Sequence, residues 1–333
     1  MTSTQLDAPM FAFTDEHDAL REVLRDYFAA TADVERGVRW RRLLTEVGLD
    51  DLLFDDDGGS AVEWVILAEE AGAALFDGPL LSATAVGPLA GAPAFDRVRS
   101  GECGVSAAVS LTRVDAGSSR DYWDFSENTV VVREIDGEPA VVVEDGAAAG
   151  LRALSGLDLS RVVGRAGGAG TSSPLACSPE TLATMRRRGD LVLSAELLGV
   201  AQRVLDGTVD YVRQRVQFGR TIGSFQAVKH RLADLLAQVE LTRSAVYAAA
   251  WQFPDGSAQA EADLAVAAVL SRQTAVEMTK AAVQLHGGIA ITWEHWAHRY
   301  LRRAYAVTAL TGTAGHHRRR LAALLEAGQR TDG

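Results

Sequence analysis

The 333-residue chain is 47% hydrophobic and 23% charged with a formal net charge of −11, the balance of a globular protein long enough for two or three domains. An acidic chain is poorly suited to nucleic acid, whose binding is dominated by Lys/Arg neutralisation of phosphates. Two cysteines, Cys103 and Cys177, form no CxxC spacing, which excludes a disulfide framework and fits a reducing cytoplasm. The start MTSTQLDAPMFAF lacks the features of a signal peptide, and alanine-rich stretches such as 245–250 are too short to cross a bilayer. The expectation is a cytoplasmic protein with no membrane and no nucleic-acid partner.

Residues 14–92 have helical texture. In FTDEHDALREVLRDYFAA, Leu20, Val23, Leu24, Tyr27 and Phe28 recur every three or four residues, and Thr14 opens a capping box with His17 in place of the usual glutamate. A second helix is predicted from Val62 to Leu75, after the acidic turn DDDGGS. From about Gly101 the texture changes: Val105–Leu111, Thr129–Val132 and Ala140–Val143 are short β-branched runs between Gly, Asp and Ser, which predicts a small β module. The Gly/Ser-rich stretch 162–174 reads as a linker or turn. Residues 190–214, 225–252 and 258–285 then carry apolar residues on more than one face, with breaks at Pro254/Gly256 and Gly287-Gly288. Such helices pack in a bundle, here of four or five antiparallel members. The predicted fold is mainly α with a small β domain, divided as 1–100, 101–175 and 176–333.

Two segments carry chemistry. YVRQRVQFGRTIGSFQAVKHRLADLL (211–236) places Arg215 at a helix end, followed by Phe218 and a glycine, with Gln226 one turn into the next helix. QLHGGIAITWEHWAHRYLRRA (284–304) places Gln284, Gly287 and Gly288 at a helix-to-turn junction. The arginine fork suits a pyrophosphate, and a Gly-Gly turn lets an anion approach backbone N–H groups. By spacing alone the same features are also a solvated charge and an ordinary helix C-cap.

The patterns R-x-Q-F-G-x-x-I-x-x-F-Q and Q-x-x-G-G resemble the two FAD-contacting signatures of acyl-CoA dehydrogenases, and the similarity runs through most of residues 187–326. It extends more weakly to the front, where residues 13–30 and 43–75 resemble that family's N-terminal helical domain. The resemblance implies a helical N-domain, a middle β-domain and a C-terminal four-helix bundle. It also implies that Arg215, Phe218, Gln226, Gln284, Gly287 and Gly288 reach across a dimer interface to an FAD seated mainly on a neighbouring subunit.

Two departures from the family pattern bear on activity. Family members remove the substrate's α-proton with a carboxylate; aligning LRRAYAVTALTGT (301–313) with their Y-E-G-T segment puts Thr311 in the glutamate's place, and the alternative position on the first bundle helix holds Gly189. Asp190 is adjacent but one position round the helix; its bland reading is a charge near a helix N-terminus. No catalytic residue is therefore assigned, and loss of a positioned base costs about 10²–10⁴-fold. The β module is also short, and ECGVSAAVSLTRVDAGSS (102–119) lacks the family's Thr-Glu-Pro loop and Gly-Ser-Asp turn. Both losses match the incomplete subunit of actinobacterial heterotetramers, whose substrates include steroid side-chain CoA thioesters. The expectation is an FAD-sharing subunit paired with a homologous subunit as α2β2, acting on an acyl-CoA. The alternatives are a self-sufficient homo-oligomer with Asp190 as a relocated base, and a flavin-free scaffold.

Five histidines (His286, His295, His298, His316, His317) fall late in the chain. His295 and His298 have i, i+3 spacing but lack a third ligand, so helix-surface or interface roles are expected and no metal. Trp293 and Trp296 are expected at a subunit contact. The run Arg318–Arg320 reads as a solvated face, with CoA phosphates as the alternative.

Overall fold

The computed structural model describes residues 13–54, 60–112, 120–135, 138–167, 174–253 and 256–331. The first twelve residues, the acidic turn at 55–59, residues 113–119 of the departing loop, the tip of the Gly/Ser-rich stretch and Pro254 lie outside them.

The front of the chain is helical: α1 (Asp15–Ala30), α2 (Arg36–Thr45), α3 (Asp50–Phe54), α4 (Ala61–Ala73), α5 (Leu80–Val86) and α6 (Asp96–Arg99). The α1 capping box forms as the sequence requires: Thr14 N–H donates to His17 Nδ1 at 3.1 Å and His17 N–H to Thr14 Oγ1 at 3.4 Å. Ser60 and Glu63 cap α4 in the same way. Its residues Ala61–Gly72 are buried on nearly every side because α4 runs between α1 and the bundle.

Residues 104–176 hold the strands β1 (Gly104–Ala107), β2 (Asp121–Tyr122), β3 (Thr129–Ile135), β4 (Glu138–Asp145), β5 (Arg152–Ala153), β6 (Gly164–Arg165) and β7 (Pro174–Ala176). They form a four-stranded sheet ordered β1-β3-β4-β7, in which β1 pairs parallel to β3 and the other pairs are antiparallel, and a three-stranded sheet ordered β2-β6-β5. The first predicted strand stops early. After Ala107 the chain turns into a 3-10 helix at Val109–Thr112, whose four residues are buried against the bundle, so tertiary packing overrides their β-branched composition.

The bundle comprises α7 (Pro179–Gln214), α8 (Gln226–Gln252), α9 (Ala258–His286), α10 (Ala297–Thr311) and α11 (Ala314–Thr331), with a two-stranded hairpin, β8 (Val216–Gln217) and β9 (Arg220–Thr221), between the first two. Helix α7 starts at Pro179 behind the Ser178 cap, close to the expected boundary at 176, and runs on unbroken through the apolar stretch from residue 190; its first turns meet the β module through the Arg186–Glu134 ion pair. Asp190 therefore lies in the body of α7, and the helix-end reading of its charge is corrected. Where α4 crosses α7 the backbones touch: a Cβ on Gly199 would fall 1.8 Å from the Glu69 carbonyl oxygen. No described helix is long and apolar enough to cross a membrane.

Candidate functional site

The β8–β9 hairpin turns through Phe218 and Gly219, with φ of +55° and +75°. Two positive φ values in a two-residue loop define a tight turn suited to Asn-Gly or Gly-Gly. A phenylalanine there costs on the order of 1–3 kcal/mol, and its side chain is 92% exposed. Inside this chain the ring meets the edge of Phe225, at 6.1 Å between centroids, and otherwise points outward. Arg215 is the C-cap of α7, its N–H donating to the Tyr211 carbonyl at 2.9 Å, and its side chain is exposed. Gln226 is the first residue of α8 rather than one turn inside it, and it is exposed too.

The second segment ends α9. His286 is the last helical residue, Gly287 takes φ +69°, and a short 3-10 turn covers Gly287–Ile291. Gln284, Gly287 and Gly288 are exposed, and space is open around both glycines. Beyond them Ile289, Ile291 and Trp293 stand 50%, 71% and 70% exposed. All six residues singled out from the sequence thus lie on the surface. The two segments adjoin, because Tyr211 stacks on His286 with ring centroids 4.1 Å apart. Exposed apolar residues bordering unspent polar ones mark a surface that another molecule covers.

The positions expected for a base are buried instead. Thr311 is fully buried; its hydroxyl donates to the Val307 carbonyl at 2.8 Å and accepts from Arg272 Nε at 3.4 Å. A Cβ on Gly189 would lie 2.7 Å from Thr112 Cα, and Thr112 is itself fixed by accepting from Trp123 Nε1 at 2.8 Å. No glutamate fits at Gly189 while Thr112 holds that place. Asp190 is 1% exposed and held by two guanidinium groups, Arg272 Nη2 on Oδ1 at 2.7 Å and Arg320 Nη1 on Oδ2 at 2.8 Å. Burial alone would raise its pKa, but the two cations overcome that and hold it below the usual carboxylate range. A carboxylate so held is a poor proton acceptor.

Arg320 also binds Glu261 at 2.9 Å; of the expected solvated arginine face, Arg318 and Arg319 are exposed, and only Arg320 is corrected, turned inward where α11 packs on α9. A second buried cluster joins the β module to the bundle. Arg161 forks onto Glu196 at 3.0 and 2.6 Å and reaches Asp124 at 3.0 Å, while Arg303 binds Glu196 at 2.8 Å and pairs with Asp158. Burial would raise the Glu196 carboxyl, yet Arg161 and Arg303 pull it down to about 2. Sequence reasoning missed Arg161, Arg272 and Arg303. The signal for Arg272 was a lone arginine inside AVAAVLSRQTAVEM, where an apolar helix signals a buried partner.

Trp296 is half-buried, stacked on His295 at 5.3 Å and edge-on to Tyr300 at 5.8 Å, while Trp293 stacks on His298 at 5.6 Å and is 70% exposed. His286, His295 and His298 lie among these aromatic rings, and no group of three or more potential ligands among the described residues is placed to hold a metal ion.

Residues 182–325 match the C-terminal domain of acyl-CoA dehydrogenases. Acyl-CoA dehydrogenase IpdE2 of Mycobacterium tuberculosis is 34% identical over 290 residues, which cover 85% of this chain and 85% of that protein. Acyl-CoA dehydrogenase FadE34 of the same organism is 32% identical over 358 residues, covering 95% of this chain but only 49% of that protein, so the chain spans about half of its length. A chain of the ChsE4-ChsE5 complex from Mycobacterium tuberculosis shares the fold at a TM-score of 0.79 and 24% identity, over 95% of this chain and 98% of that one. The chain belongs to the acyl-CoA dehydrogenase family.

Proposed function

We propose that this chain is the flavin-sharing, catalytically incomplete member of a heteromeric acyl-CoA dehydrogenase that performs α,β-dehydrogenation of a bulky acyl-CoA thioester, with steroid side-chain thioesters as the first candidates. The observation that carries this reading is the contrast between an exposed signature face and a base position closed by its own ion pairs. Bound FAD would supply the acceptor for the substrate's β-hydride. Toward it this chain offers Arg215 for the pyrophosphate, the side-chain amides of Gln226 and Gln284, the backbone N–H of Gly288, and the Phe218 ring, while the Gly287 N–H closes α9 on the Val283 carbonyl. The open space over the Gly287-Gly288 turn and the full exposure of Phe218 fit that task.

The α-proton falls to a carboxylate of the partner, because Thr311 and Asp190 have their hydrogen-bonding capacity committed within this chain. A homologous partner, in an α2β2 assembly, completes this reading; it is supported by the ChsE4-ChsE5 complex, an assembly of two differently named components in which one chain shares this fold. The same reading divides the chain near residues 100 and 175.

The test is flavin stoichiometry per chain, purified alone and after co-expression with a full-length homologue. The chain alone should be colourless or substoichiometric and inactive, and the pair yellow and active. A yellow, fully flavinylated, active homo-oligomer of this chain alone would overturn the reading. A pair without the visible flavin band would establish a scaffold.

A further inference from the structure

The signature residues come from two helices that end side by side, and one contact ties those ends together. We propose that Tyr211 and His286 form a positioning pair that fixes the spacing between Arg215 and the Gly287-Gly288 turn; this rests on the flavin-sharing reading above. The rings stack at 4.1 Å between centroids and 23° between planes, and the Tyr211 hydroxyl donates to the His286 carbonyl at 3.3 Å. Each partner sits at the last fixed point before a signature residue. The Tyr211 carbonyl accepts the Arg215 N–H at 2.9 Å, and the His286 carbonyl belongs to the peptide whose nitrogen is Gly287's.

The pair is itself braced from behind. His286 is 5% exposed and its Nδ1 lies 2.8 Å from the Ala282 carbonyl, a bond that requires the proton on Nδ1. His295 and Trp296 meet its ring edge-on at 4.9 and 5.2 Å. Trp296 leans on Tyr300, whose hydroxyl donates to the Ala73 carbonyl at 2.6 Å and so ties the column to the N-terminal helices. Without such bracing, the exposed ends of α7 and α9 are free to fray independently. A polyanion that must meet a guanidinium from one end and the open Gly288 backbone from the other binds well only if their separation is set beforehand.

The test uses the co-expressed complex and measures the flavin dissociation constant by visible absorbance after ultrafiltration, with the thermal midpoint as a control for folding. Tyr211→Ala and His286→Ala should weaken flavin binding about 3- to 10-fold, the size of an aromatic pair's contribution. Tyr211→Phe and His286→Phe, which keep a stacked ring, should return it to within about twofold of the parent. Arg215→Ala is the reference. If it weakens binding while both alanine variants bind flavin like the parent, the positioning role is wrong and the flavin-sharing reading stands. If Arg215→Ala has no effect, both fall. Should alanine at the buried position 286 prevent folding, Tyr211→Leu against Tyr211→Phe decides the matter at the half-exposed partner.

Discussion

The outer end of the bundle and its interior both rely on arginines and treat them oppositely. Arg215 stands exposed at the end of α7, beside an aromatic ring held outward by a strained turn. Arg272, with a side chain wholly buried, binds Asp190, Ser194, Thr311 and the Ala268 carbonyl. A buried cation persists only when carboxylates of its own chain compensate it, whereas an exposed one beside apolar surface is available to something else. On the proposed reading the outward charge serves binding, and the inward charge serves folding.

The comparison breaks most visibly at Asp190. Asp190→Ala leaves Arg272 and Arg320 without their shared carboxylate, and removal of one partner from a buried pair costs about 3–5 kcal/mol. Urea unfolding of the chain should show that loss. Turnover that collapses with stability intact would instead make Asp190 a base.

Acid should reach the interior in two stages. His317 is driven down to about 4, by burial first and then by Arg272, with Asp190 opposing. Unfolded, it titrates near its ordinary 6.5, so the unfolded chain takes the proton first. Stability is therefore complete above about pH 6.5 and declines as pH falls toward 4. Glu196, depressed from 4.5 to about 2, contributes stability above its unfolded value that is lost as pH falls through that lower window. His317→Gln should flatten the first stage and leave the second, read as urea midpoint against pH.

At the outer face, Arg215→Ala should weaken flavin binding in the complex by roughly 10- to 100-fold, the range for a hydrogen bond to a charged group, with no change in the thermal midpoint of the isolated chain. The smallest effect is expected at Phe218. Phe218→Ser should leave stability within about 0.5 kcal/mol or raise it slightly through relief of turn strain. It should lower affinity for the partner, measured by analytical ultracentrifugation of the pair; unchanged association would remove Phe218 from the interface.

Much of the candidate site was legible because its residues stand at helix ends and turns, where local chemistry decides. A helix followed by QFG and a helix ending in GG mark exposed termini whichever neighbours they have, so Arg215, Gln284 and Gly287-Gly288 could be placed from spacing and resemblance. The capping box at Thr14 and His17 was readable for the same reason. The interior was not. Arg272 lies 82 residues from Asp190, and Arg303 lies 107 from Glu196, so nothing in the local pattern announces either pair.

By itself the sequence determined the helical front, the small β module, the bundle and the two signature segments, since periodicity, caps and glycine placement are properties of neighbouring residues. Only the tertiary structure decided that Val109–Thr112 coil into a helical turn and fill the space at Gly189, that Arg320 turns inward, and that Asp190 is spent on ion pairs. The physical reason is that burial and charge compensation depend on what the remaining chain brings to a position, and one helix cannot know which arginine another will place beside it.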